Sequence, residues 1–437
     1  MKDVFGWIDG FINFERGQTS KSFRLDRTEL LARLAGNPEL SYPTIHVAGS
    51  KGKGSTTTMI ASVLDAAGMK TGLYVSPHIV DYRERVGLWN GPFSEEIYEA
   101  AGDELKAILD QALSPGHFMP GDEEPTFFEL MTMLFFLSCR RAGCVAAAVE
   151  TGMGGRLDST NIVMPLASVI TPIELEHTEY LGNTIAAIAG EKAGIIKQGR
   201  PLILAPQKEE ALAVFKARAR ETGSLVRYLP EQTSITRVGV DRDGTAARIE
   251  FTDRKLYSRP LDLRLRLVGE IQASNAALAA LAVRVAFPDI PDAAVIAGLE
   301  RATLPARFER VSDRPLVIVD GAHTEASAKL AANTFTTLYG EGGLLLFGCA
   351  LGKDVAAMAR ILAPNFSRVI VTKPGDFKKS IPEEAFRAFS AYHDHVELIE
   401  NTTKAVEYAF GIALGQNLPL LVTGSFYLAA LARKNHL

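Results

Sequence analysis

Strand-length apolar runs alternate with helical patterns from Tyr42 onward, and this alternation constrains the fold more than any other feature of the sequence. Continuous apolar runs that are separated by helices are typical of a parallel sheet covered on both faces. The predicted buried strands form two series: Thr44–Ala48, Thr71–Val75, Cys144–Val149, Ala167–Ile170 and Pro201–Ala205, then Leu316–Val319, Leu344–Phe347, Val369–Thr372 and Leu420–Thr423. We therefore expect an α/β fold with two mostly parallel sheets.

The segment between the two strand series differs in pattern. Thr233–Leu267 is rich in β-branched residues and alternating charges, which predicts an antiparallel excursion. A helical stretch follows over Gln272–Val285, and the second strand series begins after Pro305. We place a domain boundary near residue 302, which gives predicted domains over 1–302 and 303–437.

Composition limits the class of protein. The 437 residues suffice for two or three domains, and the formal charge of 47 − 51 = −4 leaves no basic excess for a nucleic-acid or anionic-membrane partner. Three cysteines (139, 144 and 349) cannot make a disulfide framework. The N-terminus lacks a signal-peptide layout, and the longest apolar stretch, Phe127–Leu137, is interrupted by Glu129. We expect a soluble cytoplasmic protein.

A glycine-rich loop, Gly49-Ser50-Lys51-Gly52-Lys53-Gly54-Ser55-Thr56, joins the first predicted strand to a helix predicted over Thr56–Ala67. Glycines let the backbone turn tightly, so that its N–H groups face a polyphosphate at a helix N-terminus. Lys53 supplies a positive charge, and a hydroxyl of Ser55 or Thr56 adds a donor or a metal contact. We call residues 49–56 the phosphate loop.

The spacing of this loop departs from G-x4-GK[ST], since residue 47 is Val and Gly54 separates Lys53 from Ser55. A glycine-rich segment between a strand and a helix is often no more than a turn. Three glycines interleaved with two lysines in this context favour nucleotide binding instead.

Polar side chains follow three other predicted strands. Ser76-Pro77-His78 follows the second strand, Glu150 follows the third, and Glu176-His177 lies after the fourth. Ligands of doubly wound folds bind beyond the carboxyl ends of the strands. These groups would suit one or two Mg²⁺ ions that bridge ATP phosphates. Taken singly, Glu150 is as well explained by a solvated or capping carboxylate, and His177 by a hydrogen-bonded structural histidine.

Two further segments are ambiguous when considered alone. Gly152–Asp158 contains a glycine-rich turn with an arginine that fits a structural role. Lys192 lies near the end of a helix that starts near Thr184, where a lysine is ordinarily on the surface.

Seven motifs, in this order and spacing, resemble the folylpolyglutamate synthase/dihydrofolate synthase family of the Mur ligase superfamily. They are HVAGSKGKGSTT, LYVSPHIVDYRERV, VETGMGGRLDSTNIV, ELEHTEYLG, EKAGIIK, PARFERV and DGAH. The resemblance extends from about residue 20 to the C-terminal VTGSFYLAALAR. It implies a P-loop NTPase-type, mostly parallel sheet domain followed by a smaller Rossmann-like α/β domain.

The resemblance also implies roles for matching positions. The implied ATP contacts are Gly49, Gly52, Lys53, Gly54, Ser55, Thr56, Asn275, Arg307 and Asp320. The implied magnesium ligands are Ser76, Glu150 and His177. Lys192 matches a lysine that is carbamylated in the family, and His323 is expected near the phosphates or the incoming glutamate. The residues implied to bind the pterin-containing substrate are Thr126, Phe127, Phe128 and Asp158.

The activity implied by the resemblance is ATP-dependent joining of L-glutamate to dihydropteroate, to folyl-(poly)glutamate, or to both, through an acyl phosphate. Its partners would be small molecules, with a monomer as the family's usual state. The alternatives are a Mur-type ligase for another acid or amine, and a non-catalytic nucleotide-binding protein. Binding alone has no use for Glu150, His177 and Lys192 together, and glutamate-dependent ADP release would distinguish these functions.

Four departures from the family pattern accompany the resemblance. Ser50-Lys51 stands where Thr-Asn is usual, and Glu176 where Asp usually precedes the histidine. Ile271 replaces a common histidine, and DGAH is followed by Thr324-Glu325 instead of Asn-Pro. ATP should tolerate the extra charge of Lys51, whereas the change after DGAH bears on the amino-acid acceptor.

Overall fold

The chain divides into two compact units, each built around its own sheet. The computed structural model describes residues 3–13, 23–114, 119–120, 123–375 and 379–434. The first unit comprises Met1–Gly239, Thr245–Arg266 and Glu270–Thr303, and the second comprises Val240–Gly244, Leu267–Gly269 and Leu304–Leu437.

The strands and helices are numbered in chain order. The strands are β1 (Thr44–Ala48), β2 (Thr71–Tyr74), β3 (Val86–Leu88), β4 (Gly91–Pro92), β5 (Ala146–Glu150), β6 (Ala167–Ile170), β7 (Leu202–Leu204), β8 (Val226–Tyr228), β9 (Thr233–Asp241), β10 (Gly244–Phe251), β11 (Leu261–Leu265), β12 (Glu309–Asp313), β13 (Leu316–Val319), β14 (Gly343–Phe347), β15 (Phe366–Val371), β16 (Val396–Leu398) and β17 (Leu420–Thr423). The α-helices are α1 (Val4–Ile8), α2 (Asp26–Leu34), α3 (Lys53–Ala66), α4 (Glu95–Leu113), α5 (Phe127–Ala142), α6 (Thr178–Leu181), α7 (Ile185–Ala193), α8 (Glu209–Glu221), α9 (Leu229–Gln232), α10 (Ile271–Ala286), α11 (Asp292–Arg301), α12 (Glu325–Tyr339), α13 (Val355–Leu362), α14 (Pro382–Ser390), α15 (Thr402–Gln416) and α16 (Phe426–Lys434).

The sheet of the first unit has the strand order β4-β3-β2-β5-β1-β6-β7-β8. From β2 to β8 neighbouring strands are parallel, and β3 and β4 add an antiparallel edge. Strand β1 lies at the centre, with Val47 opposite Glu150 of β5 and Ile45 opposite Ala167 of β6. The phosphate loop and the groups after β5 and β6 therefore leave the sheet at the same end, as the parallel pattern predicts.

Helices cover this sheet through apolar side chains. Ala147 and Val149 of β5 join one core with buried residues of α5 such as Phe135. Ile170 of β6 belongs to a second core with Ile188 of α7. Helix α3 packs on β1, β2 and β5 and against α10 and α11. The predicted antiparallel excursion is confirmed as a three-stranded sheet in the order β11-β10-β9.

The second unit has a smaller sheet of order β12-β13-β17-β14-β15-β16, in which β12 alone is antiparallel to its neighbour. This confirms the expected mixed α/β architecture. The strands that the sequence did not predict are β3, β4, β8, β12 and β16, which lie at or next to sheet edges. Most of them span only two or three residues, which is too short for an apolar run to be recognised in the sequence. No helix in the described ranges is both long and apolar enough to cross a bilayer.

Helix α3 begins at Lys53, three residues before the predicted start at Thr56. Gly52 precedes it in the left-handed conformation with φ 85°, so the chain turns into the helix before the apolar stripe begins. Half of the phosphate loop is therefore the first turn of a helix.

One histidine is buried in the central strand: His46 of β1 has no exposed surface. Burial, with a smaller effect of Lys197, lowers the pKa of His46 to about 3. An unfolded histidine titrates near its ordinary value, so protonation favours the unfolded chain. The stability that depends on neutral His46 is complete above about pH 6.5 and is lost as the pH falls towards 3.

We expect acid to destabilise the protein through this residue. At about pH 5 the free energy of unfolding should be about 2 kcal/mol lower because of His46 alone. His46→Leu should lose that part of the pH dependence, measured by denaturant unfolding of both proteins at about pH 5 and pH 7.5. An equal loss on acidification in the variant would contradict the assignment.

Candidate functional site

The phosphate loop presents backbone donors at the start of α3. The first helical hydrogen bond is donated by Thr56 N to Gly52 O at 2.9 Å, so the amides of Lys53, Gly54 and Ser55 precede it. Such amides, reinforced by the helix dipole, are suited to binding phosphate oxygens. Ser50 N and Lys51 N donate to Pro172 O at 2.9 and 3.2 Å, which ties the loop to the segment after β6.

Close packing around Gly49 explains why this position requires glycine. Its φ is 144°, and a Cβ added there would lie 1.8 Å from Thr171 Oγ1. The hydroxyls of Thr171 and Thr56 are buried without a hydrogen-bond partner among the described residues. A buried hydroxyl without a partner costs stability. Two such hydroxyls beside the phosphate loop therefore indicate a site for a polar ligand. The Lys53 ammonium donates to Gly49 O at 2.9 Å and lies 3.5 Å from Ser50 O.

Asn275 of α10 lies against the phosphate loop. Its side chain is buried, and its Nδ2 donates to Gln272 Oε1 at 2.9 Å. A Cβ added to Gly52 would lie 2.6 Å from Asn275 Oδ1. The structure therefore brings the predicted ATP contact Asn275 to the loop, although its role stays a prediction.

We expect Gly52→Ala to weaken nucleotide binding about tenfold or more, because the added methyl displaces Asn275 and strains the left-handed turn. Gly68→Ala is the matched control, since Gly68 has a similar φ of 81° but nothing within 4 Å of an added Cβ. Titration calorimetry with a non-hydrolysable ATP analogue measures both. Equal affinities of the two variants would contradict the packing argument.

Lys192 of α7 is buried next to the phosphate loop. Only 1% of its surface is exposed, unlike a lysine in its ordinary surface position. Its ammonium donates to Gly49 O at 2.7 Å and to Glu176 Oε1 at 2.8 Å. Gly155 makes this burial possible, because a Cβ there would lie within 3.0 Å of the α7 backbone.

The pKa values of this pair are both shifted. Burial lowers the pKa of Lys192 to about 8, with Glu176 opposing the shift and Lys53 adding to it. Burial by itself raises the pKa of Glu176, but Lys53 and Lys192 outweigh it and hold that pKa at about 2. Lys192 thus has a sizeable neutral fraction near physiological pH while Glu176 stays ionised.

Ser76 and Glu150 are the two predicted magnesium ligands that the structure places in contact, although their role as ligands stays a prediction. Ser76 N donates to Glu150 Oε2 at 3.1 Å, and only 3% of Glu150 is exposed. Their hydroxyl and carboxylate oxygens are ligands that Mg²⁺ prefers. His177 is exposed after β6, and β1 lies between β6 and β5. In the part of the chain that the structure describes, no three His, Cys, Asp or Glu side chains are clustered for a metal ion.

The residues predicted to bind the pterin substrate converge around the N-terminus of α5. Thr126 is its N-cap and accepts a hydrogen bond from Glu129 N at 3.3 Å. Phe127 is buried, whereas Phe128 is half-buried and packs on Gly152, where a Cβ would lie 2.4 Å from its ring. Asp158 belongs to the same loop, and its Oδ2 accepts from Met153 N at 2.9 Å.

An ion pair that the sequence did not suggest fixes this helix start. Arg27 of α2, 1% exposed, donates through Nε to Glu129 Oε1 at 3.0 Å. Glu129 Oε2 in turn accepts from Thr126 N at 2.6 Å. Arg27 and Glu129 are 102 positions apart in the chain, so no local sequence pattern indicated this contact.

In the second unit, Arg307 and His323 lie near one aromatic ring. Arg307 lies 4.3 Å from the Phe426 ring centre, and the His323 ring lies 5.8 Å from it. Asp320 accepts from Phe308 N and Ala322 N, both at 2.8 Å. Their predicted nucleotide roles stay predictions.

The geometry of His323 bears on its predicted role as a base. Its Nδ1 lies 2.9 Å from the carbonyl oxygen of Gly321, which can only accept a hydrogen bond. Neutral His323 therefore carries its proton on Nδ1 and its lone pair on Nε2. Nε2 is the nitrogen that could accept a proton.

The residues that replace the family's Asn-Pro have local structural roles. Thr324 is the N-cap of α12, and its hydroxyl accepts from Ser327 N at 3.4 Å. Glu325 pairs with Arg360 at 3.0 Å on the surface. The substitution thus preserves a regular helix start after His323.

The family models for the Mur ligase middle domain and the Mur ligase glutamate ligase domain match residues 95–283 and 306–426. The chain is 34% identical to the dihydrofolate synthase/folylpolyglutamate synthase of Bacillus subtilis, over 99% of this chain and 98% of that protein. The folylpolyglutamate synthase of Mycobacterium tuberculosis, solved with ADP and AMPPCP, superimposes with a TM-score of 0.85 at 31% identity, covering 94% of this chain and 95% of that one. A complex of folylpolyglutamate synthase with AMPPCP and folate gives a TM-score of 0.82 at 30% identity, covering 99% and 98%.

Proposed function

Because the chain belongs to the folylpolyglutamate synthase/dihydrofolate synthase family of Mur ligases, we propose that it is an ATP-dependent ligase that joins L-glutamate to dihydropteroate or to a reduced folate. The observation that carries the proposal is the pairing of the phosphate loop with Lys192, whose ammonium lies 2.7 Å from Gly49 O. A loop that only bound nucleotide would not need a lysine buried beneath it. The expected co-substrates are ATP, L-glutamate and the folate acceptor.

The proposed first step activates the acceptor. An oxygen of its carboxylate attacks the γ-phosphorus of ATP, the bond to the β,γ-bridging oxygen breaks, and an acyl phosphate and ADP result. Lys53 and the first amides of α3 bind the phosphate oxygens and stabilise their charge, which is the main contribution in phosphoryl transfer. When bound, Mg²⁺ held by the oxygens of Ser76 and Glu150 would supply further neutralisation of the phosphates. His177 is the remaining predicted ligand.

The proposed second step forms the amide. The neutral α-amino nitrogen of L-glutamate attacks the carbonyl carbon of the acyl phosphate, the tetrahedral intermediate expels phosphate, and a base takes up the amine proton. His323 is our candidate base, because the lone pair of its neutral ring lies on Nε2. Exclusion of water would protect the acyl phosphate from hydrolysis.

We further propose that Lys192 is carbamylated. Its neutral amine would attack the carbon of CO2 and lose a proton, which converts a cation into a carbamate anion. The shift of its pKa to about 8 supports this, since only the neutral amine reacts. Residues 1–302 would act as the ATP-binding domain and residues 303–437 as the glutamate-ligase domain, in keeping with the matched family models.

Mass spectrometry of products tests the function. The protein is incubated with MgATP and L-glutamate, with dihydropteroate in one tube and tetrahydrofolate in another. Addition of one glutamate to dihydropteroate, extension of tetrahydrofolate, or both would support the proposal and identify the acceptor. No product in either tube, with ATP still bound, would overturn it in favour of another acid or amine.

A further inference from the structure

Three buried side chains form a continuous hydrogen-bonded chain that ends on Asp158. His46 Nε2 lies 2.8 Å from Thr160 Oγ1, and Thr160 Oγ1 donates to Asp158 Oδ1 at 2.5 Å. None of the three is more than 6% exposed. The chain therefore links the middle of the central strand β1 to the loop that is proposed to bind the folate acceptor.

The direction of each hydrogen bond follows from the number of protons available. A threonine hydroxyl has one proton, and Thr160 donates it to Asp158. His46 Nε2 must then be the donor to Thr160, so the ring proton of His46 lies on Nε2. Burial lowers the pKa of His46 to about 3, so this neutral form persists at physiological pH.

Stability alone does not explain a histidine at this position. Its Nδ1 is buried without a hydrogen-bond partner among the described residues. An unpaired buried acceptor costs free energy, and the neighbours of His46 on β1 are Ile45 and Val47, both fully buried. An aliphatic residue would pack in this strand without burying an unpaired nitrogen. The hydrogen bond that His46 Nε2 donates is therefore the feature that needs an explanation.

Asp158 caps the short helical turn that follows it, which requires one hydrogen bond from Thr160 N, but its carboxylate accepts more than that one. Oδ1 accepts from Thr160 N at 3.0 Å as well as from the hydroxyl, and Oδ2 accepts from Met153 N at 2.9 Å. Phe128 packs on Gly152 in the same loop. A carboxylate accepts about four hydrogen bonds, and the backbone amide of Gly152 also acts on this one, so its plane is fixed.

We propose that His46 and Thr160 are positioning residues that orient the Asp158 carboxylate for binding the planar, N–H-rich end of the folate acceptor. This inference rests on the proposed function and on the assignment of Asp158 to the acceptor site. His46 polarises the Thr160 hydroxyl, which strengthens its bond to Asp158. Neither residue touches substrate.

Steady-state kinetics of the full chain with dihydropteroate, or with tetrahydrofolate if that is the substrate, tests the proposal. Thr160→Val and His46→Leu should each raise the KM for this acceptor about five- to tenfold, the effect of one lost hydrogen bond, and leave the KM values for ATP and L-glutamate within about twofold. Thr160→Ser and His46→Gln, which keep a hydroxyl and an Nε2 donor, should restore most of the affinity.

Ser168→Ala is the matched control. Ser168 of β6 lies opposite His46 and donates to Ile195 O at 2.7 Å, so its loss removes a buried hydrogen bond that does not lead to Asp158. Its acceptor KM should not change. In addition, His46→Leu should add less than about a further twofold in the Thr160→Val background, because the two residues act in series.

The outcomes separate the inference from the proposed function. Wild-type protein that makes no product with either acceptor overturns both. If the wild type is active and Asp158→Asn raises the acceptor KM, unchanged KM values in the His46 and Thr160 variants overturn the inference alone. Equal rises in the KM values of all three substrates would show a general structural effect and overturn the inference as well. A rise in the acceptor KM of Ser168→Ala would do the same. A rise confined to the acceptor, with rescue by Ser and Gln, supports it.

Discussion

Lys53→Ala is expected to reduce turnover at least about 1000-fold while the fold survives, because the variant loses the only cation built into the first turn of α3 within the described residues. The Lys53 ammonium lies 2.9 Å from Gly49 O, inside the phosphate loop. Its removal takes away the side-chain cation that the first turn of α3 offers to the transferring phosphoryl group. Glutamate-dependent ADP release measures the loss, and circular dichroism with thermal unfolding checks the fold.

Lys51→Ala is the matched control for this prediction. Lys51 is in the same loop and has the same charge, but it precedes the helix and its amide is bonded to Pro172 O at 3.2 Å. We expect this variant to retain turnover within about tenfold, because its charge contributes only at longer range. Normal turnover in Lys53→Ala, or equal losses in the two variants, would contradict the assignment of the phosphate loop.

The parts of the fold that the sequence predicted are the buried strands of both sheets. Thr44–Ala48, Ala167–Ile170, Leu316–Val319 and Leu420–Thr423 match observed strands at both ends, since continuous apolar runs mark strands that are covered on both faces. The edge strands β8 and β16 have partly exposed residues throughout, so they carry no such run. The start of α3 was misplaced because Gly52, and not the apolar stripe, determines where the helix begins.

The site was predicted less completely, because part of it depends on tertiary packing. The phosphate loop is local and could be recognised from its glycines and lysines. The family resemblance indicated a role for Lys192, but its burial could not be predicted locally, since it depends on contact with Gly49, 143 positions away in the chain. His46 and Thr160 are separated by 114 residues, and a single polar residue in an apolar strand gives no indication of its partner.

Lys192→Arg tests whether the buried lysine acts through its charge or through a carbamate. Arginine keeps a cation for Glu176, whereas Lys192→Ala would remove the cation that is hydrogen-bonded to this carboxylate. A guanidinium does not react with CO2 to form a carbamate. We therefore expect Lys192→Arg to fold but to lose at least about 100-fold in turnover, as for other removals of an electrostatic group at a reacting phosphate.

Lys197→Arg provides the comparison, because Lys197 is half-buried, has a pKa lowered by burial, and donates to Asn161 O at 2.7 Å. It should retain turnover within about threefold. Nuclear magnetic resonance with isotopically labelled bicarbonate should show a carbamate signal in the wild type and in Lys197→Arg that is absent from Lys192→Arg. Full activity of Lys192→Arg would mean that a cation suffices beneath the phosphate loop, and the carbamate would then have no part in the reaction.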